Sequence, residues 1–210
     1  MSIRSWPVLA LLGLVALGAG VIGLIAAPGA RRDCLPRAAK VLARSGDASL
    51  FSSGGHLYGC LGARTTRLGP LAARGRLAPT RVAQYALAGS YAGIDLAAMG
   101  IDTFDSKLVV IDLATGRRTA SAPATSPENR AESFITANSL VIDQSGTIAW
   151  VGRRSAVGAF TPTYEIRTLG AHGGRLLDSG AHIRAASLVL SGHDLSWTDG
   201  TRRRHAKLEP

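Results

Sequence analysis

Cysteine is nearly absent from this chain. Only Cys34 and Cys60 occur in 210 residues, and neither has the company a metal site needs: there is no CxxC, and no His lies three to five residues from another. An isolated pair at this spacing reads as one disulfide, which requires an oxidising compartment. Closing a loop of that length contributes at most about 3.5 kcal/mol. Lysine is equally scarce, at positions 40, 107 and 207 alone, although the formal charge is +10. The positive charge is almost all Arg, spread along the chain, and aromatic residues make up 5%, so stacking platforms for nucleic-acid bases are few. Arg202-Arg203-Arg204 is the one dense cluster and reads as a solvated strand or terminus. The charge therefore points away from nucleic acid and toward anionic envelope material, such as acidic polymers or lipid head groups. No GxSxG, HExxH or P-loop sequence is present, and no cofactor is expected.

What is there begins with an address. Arg4 sits in a short polar start, and Val8 to Ala27 follows without a charge. Signal-peptide apolar cores run to about 7–15 residues, whereas about 20 can span a bilayer as a helix. Residues 1–30 are therefore expected to form one apolar helix, acting as a signal peptide or a transmembrane anchor. Arg31, Arg32 and Arg37 follow the segment against Arg4 alone before it, which opposes the positive-inside rule. The cysteine pair decides the expectation in favour of an extracytoplasmic domain, secreted or membrane-anchored, over residues 34–210. Cys34 follows Arg32-Asp33 and is not a lipoprotein acylation site.

Beyond the segment there is no good amphipathic helix. Short alternating runs are punctuated by Gly, Asp, Ser and Thr, the pattern of an all-β domain. Leu108–Leu113 leads through Ala114-Thr115-Gly116 into Arg117-Arg118-Thr119, a strand, tight turn and returning strand. Tyr164–Thr168 alternates apolar and polar side chains.

Internal repetition carries the most information. Ser139–Ile142, a turn and Ile148-Ala149-Trp150 match Ser187–Leu190, a turn and Leu195-Ser196-Trp197. Ser49-Leu50-Phe51, a turn and Leu57-Tyr58-Gly59 give a third copy, and Ala86–Ala92 a weaker fourth, followed by an insertion around Ala97 to Asp105. Four copies suit a β-propeller-like domain of about four blades, each a four-stranded sheet. Tyr164–Thr168 is then a third strand, Arg175–Asp178 a fourth, and Lys40–Ala43 the strand that completes the last blade from the other end of the chain. An incomplete ring or a sandwich of four hairpins is the other architecture the pattern allows. Trp150 and Trp197 are expected to be buried equivalents, with Tyr58 and Ile94 at or beside the same position. Through Leu57-Tyr58-Gly59-Cys60, Asp112–Arg117 and Ser187–Trp197, residues 34 to 208 resemble the signal-bearing, propeller-like proteins of unknown function of high-GC actinobacteria. The resemblance implies fold and export and carries no activity.

Asp95, Asp102 and Asp105, in or beside the insertion, are the candidate metal ligands, since closely spaced carboxylates can hold Ca²⁺, although their spacing departs from the calcium-loop pattern. His193-Asp194 with Ser191 reads as turn filling, because neighbours on a tight turn do not converge as a catalytic triad must. His56, after Gly54-Gly55, is expected in the equivalent turn. The sequence thus points to a non-enzymatic binding or scaffold domain at the envelope, its partner an anionic envelope component or another protein. The alternative is a secreted hydrolase whose acidic site forms only in the fold, with Asp95, Asp102 and Asp105 first to suspect. Small apolar and Arg side chains lining the central opening would favour binding; clustered carboxylates or a His–Asp pair there would favour the enzyme.

Overall fold

Glycine in a left-handed conformation sets the hairpins of this chain. Gly46, Gly89 and Gly192 have φ of 56°, 52° and 60°, each first in a two-residue turn between strands. A side chain at such a φ is strained, and a turn this short closes with little loss of chain entropy. The computed structural model describes residues 34–71, 80–100, 104–126, 133–156 and 161–209. Among them there are fifteen strands and no helix. The expected helix over residues 1–30 lies outside the described residues.

The strands form four successive antiparallel meanders. The first comprises β1 (Lys40–Ser45), β2 (Ala48–Ser53), β3 (His56–Leu61) and β4 (Arg64–Pro70). The second comprises β5 (Thr80–Ala88), β6 (Tyr91–Met99), β7 (Phe104–Asp112) and β8 (Arg117–Pro123). The third comprises β9 (Ser133–Ile142), β10 (Ile148–Ala156), β11 (Thr163–Gly170) and β12 (Gly173–Gly180). The last has three strands, β13 (Val189–Ser191), β14 (Asp194–Asp199) and β15 (Arg202–Lys207). A single parallel pair, Phe104 with Phe134, joins the second and third meanders into one sheet. Tyr164–Thr168 and Arg175–Asp178 occupy β11 and β12, the third and fourth strands of their meander, as the pattern predicts. The expected insertion is largely strand: Ala97–Met99 extends β6, and Asp105 lies in β7.

Three apolar layers hold successive meanders together. Leu50, Leu57, Ala92, Ile94 and Val109 fill the first; Leu108, Val110, Ile148 and Trp150 the second; Ala149, Val151, Leu195 and Trp197 the third. The runs Leu108-Val109-Val110 and Ile148-Ala149-Trp150-Val151 show no polar alternation because each strand is covered on both faces, with odd and even residues entering different layers. Hydrogen bonds join neighbouring meanders along their first strands and the residues flanking them: Gly89 N–H, in the turn after β5, donates to Ser45 Oγ (2.8 Å), Gln84 Nε2 on β5 to the Ala137 carbonyl, and Ser139 Oγ on β9 to the Ala185 carbonyl ahead of β13.

Three expectations from the sequence do not hold in the structure. Lys40–Ala43 does not complete the last blade; β1 pairs with β2 across the Gly46-Asp47 turn. A two-residue connection makes that local pairing available at far lower entropic cost than one to a strand at the far end of the chain. The first repeat copy is consequently shifted by one strand. Its tight-turn hairpin is β1–β2, so the residue matching Ile94, Trp150 and Trp197 is Phe51 and not Tyr58. All four are buried, with Phe51 1% exposed. Tyr58 lies on β3, half-buried, with its ring stacked 5.3 Å from that of Phe51. For the same reason Gly54-Gly55, beside His56, joins β2 to β3 and is not the counterpart of the His193 turn.

Candidate functional site

Cys34 and Cys60 form a disulfide with their Cα atoms 5.7 Å apart. Cys60 pairs with Ser49 and Tyr58 with Phe51 across β2 and β3, so these four side chains share the face of the first meander that looks away from the second. The bond therefore ties the chain around Cys34 onto the face carrying Phe51, and Thr65 Oγ1 adds a hydrogen bond to the Cys34 carbonyl (3.3 Å).

Beside this crosslink, at the turn end of the first meander, lies a groove of about 980 Å³. Gly46 and Asp47 of the β1–β2 turn and Gly62 and Ala63 of the β3–β4 turn border it, with Arg44 near the end of β1 and Arg64 at the start of β4. Arg64 Nη1 donates to the Thr115 carbonyl (3.3 Å) in the turn after β7, which fixes that guanidinium from the neighbouring meander. Asp47 is the one carboxylate among the lining residues.

The candidate metal ligands do not form a cluster in the described residues. Asp95 is buried on β6 and accepts a hydrogen bond from Ser106 Oγ. Burial pushes its carboxyl up to about 6, with the Ser106 bond opposing the shift. Asp105 precedes Ser106 on β7, and alternation sends its side chain to the opposite face, where Oδ1 accepts the Ser106 backbone N–H (2.9 Å). Asp102 lies outside the described residues. Among the described residues no three His, Cys, Asp or Glu side chains gather as a metal site would require.

A carboxyl with its pKa raised on folding is most favourable to the fold while protonated. Stability from Asp95 is thus greatest below about pH 4, declines as pH rises toward 6 and is level above it, the total loss being about 3 kcal/mol. Asp95→Asn keeps an acceptor for Ser106 and has no proton to lose. The variant should melt several degrees above the parent at pH 7.5, with the gap closing near pH 4; a gap constant across this range would show that Asp95 does not titrate on folding.

The sequence reading missed Asp143. Its Oδ1 accepts the backbone N–H groups of Ser145 and Thr147 (2.9 Å each) and Ser145 Oγ (2.6 Å), bracketing the β9–β10 turn. Its Oδ2 lies 3.2 Å from Nδ1 of His193 in the β13–β14 turn. Asp143 is buried, whereas the His193 side chain is 61% exposed, leaving the imidazole accessible. The run Asp-Gln-Ser-Gly-Thr carries the signal of an Asx-type turn, which is how it could have been found. A second polar cluster was also missed. Glu165 Oε2 accepts from the Ser126 N–H (2.9 Å), Ser126 Oγ (3.1 Å) and Arg167 Nη1 (2.9 Å), fastening the segment after β8 to β11. Both ionic side chains are almost fully buried and engaged with partners, so the cluster reads as structural.

Trp150 and Trp197 sit in successive layers, and each indole is anchored. Trp150 Nε1 donates to the Ala124 carbonyl (2.7 Å), and Trp197 Nε1 to Asp178 Oδ2 (2.8 Å). Ala124 can approach because strand β10 carries Gly152, where a Cβ would stand 2.1 Å from the Ala124 oxygen. The chain matches no protein-family model and no curated protein.

Proposed function

We propose that residues 34–210 are an extracytoplasmic, non-enzymatic binding or scaffold domain at the cell envelope, delivered by residues 1–30 as a signal peptide or membrane anchor. The blades of a four-unit, propeller-like array would be the four meanders. Their shared strand order, the recurring bulky residue at Phe51, Ile94, Trp150 and Trp197, and the ties along the first strands support that arrangement. So does the resemblance to signal-bearing propeller-like proteins. The Cys34–Cys60 bond supports an oxidising compartment. The observation that carries the binding reading is the lining of the groove: two arginines and a single carboxylate among small residues, with Leu35 and Leu61. Its partner is an anionic envelope component, drawn to a chain of net charge +10.

A specific observation favours a second reading. His193 stands exposed with Nδ1 against a buried carboxylate, the orientation in which Nε2 could act as a general base. A secreted hydrolase would then work through His193 and Asp143. One experiment separates the two. The full chain is sedimented with isolated cell envelopes at several salt concentrations and, in parallel, offered ester, glycoside and phosphoester substrates. Salt-sensitive binding that His193→Asn leaves unchanged, with no turnover, is the expected result. Turnover abolished by His193→Asn would replace the binding reading with the hydrolase.

A further inference from the structure

The groove beside the disulfide has the chemistry to identify its ligand class, an inference that rests on the binding reading above. We infer that it takes a segment of a phosphodiester-bearing chain, with Arg44 and Arg64 as the recognising residues.

The two arginines come from different sources and present differently. The Arg44 side chain is exposed and makes no ion pair or hydrogen bond with the described residues. Arg64 commits one N–H to the Thr115 carbonyl (3.3 Å), which holds its plane while the rest of its five-donor fork is available. A planar fork set against the groove matches the paired oxygens of a phosphodiester, and unlike lysine it remains charged at every physiological pH.

The remaining lining lets a polymer backbone come close. At Gly46 and Gly62 a Cβ would meet nothing within 4 Å, so both turns are open toward solvent. Ala63 and Ala114 project only methyl groups. A volume of about 980 Å³ is far larger than one phosphate ion requires and accommodates several repeating units. Asp47 also lines the groove, and the two guanidinium groups outweigh its single negative charge. A polyol-phosphate polymer has this chemistry, with one phosphodiester in every repeating unit, whereas a phospholipid headgroup presents a single one at a membrane surface.

The test uses the full chain and three probes: long-chain inorganic polyphosphate, phosphatidylglycerol vesicles against phosphatidylcholine vesicles, and polyglutamate. Arg44→Glu/Arg64→Glu is compared with Arg202→Glu/Lys207→Glu, which makes the same change in net charge on β15. Melting temperatures confirm that both variants are folded. The expected result is that polyphosphate binding weakens at least tenfold in the groove variant and no more than twofold in the β15 variant, with polyglutamate bound weakly by all. Binding to phosphatidylglycerol vesicles alone, with none to polyphosphate, would overturn the chain reading and assign the arginines to a membrane surface. Equal weakening in both variants, undiminished binding in the groove variant, or equal affinity for polyglutamate would overturn the assignment. Envelope binding that persists in the groove variant removes this site and leaves the binding function standing, whereas no envelope binding by the parent removes the function itself.

Discussion

Trp150→Ala is expected to destabilise the domain by about 3–5 kcal/mol, lowering its melting temperature on the order of 10 °C. Trp150 is 0% exposed and occupies the layer between the second and third meanders with Leu108, Val110 and Ile148. Its removal leaves a cavity that sheets stacked on both sides cannot close, and strands β7 and β10 each serve a second layer that resists their movement. The Ala124 carbonyl also loses its indole partner in a buried setting. Trp150→Phe restores most of the volume but not the donor, so it should recover more than half of the loss. Urea denaturation followed by far-UV circular dichroism gives both values. A loss below about 1 kcal/mol for Trp150→Ala would mean that the layer does not hold the meanders together.

The second large effect belongs to the disulfide. Replacing both cysteines by alanine should cost about 3 kcal/mol, because the bond closes a loop between residues 26 apart and thereby limits the unfolded chain. The parent in reducing buffer should fall to the stability of the double variant, and the variant should be indifferent to reductant. The loss should be felt first at the first meander, where the bond holds the chain around Cys34 against the Phe51 and Tyr58 face. Hydrogen exchange should therefore accelerate in β2 and β3 before β10 and β14. Uniform acceleration across all four meanders would show instead that the bond acts on the whole fold at once.

Much of the architecture was legible in the sequence, for identifiable reasons. Alternation and glycine-bearing turns identify strands locally, and the recurrence of Ser-Leu-Val with a tryptophan beyond a turn exposed the third and fourth meanders. The pairing of β1 was not legible in the same way. Ser45-Gly46-Asp47 and Ser53-Gly54-Gly55 are both acceptable tight turns, and the sequence alone does not say which of them opens the repeat. Packing resolves it: Phe51 is buried on the side matching Trp150 and Trp197, while Gly59 leaves room for Leu113, whose side chain would lie 2.3 Å from any added Cβ. The Cys34–Cys60 bond was legible because two cysteines permit one pairing. The groove was not, since Arg44 and Arg64 lie on separate strands and ordinary turn residues border it. The Asp143–His193 contact joins positions 50 residues apart through the stacking of two meanders, and no local pattern reports such a meeting.

The proposal that residues 34–210 fold outside the cytoplasm requires Cys34 and Cys60 to be oxidised in the cell, as they are in the structure. Thiol trapping in the cells that make the protein tests this directly. Intact cells are quenched in acid, denatured and treated with a mass-tagged maleimide, with and without prior reduction, and the protein is weighed by mass spectrometry. The expected result is no tag without reduction and two tags after it. Two tags on the unreduced protein would mean that the domain folds with free thiols in a reducing compartment, and would contradict the account.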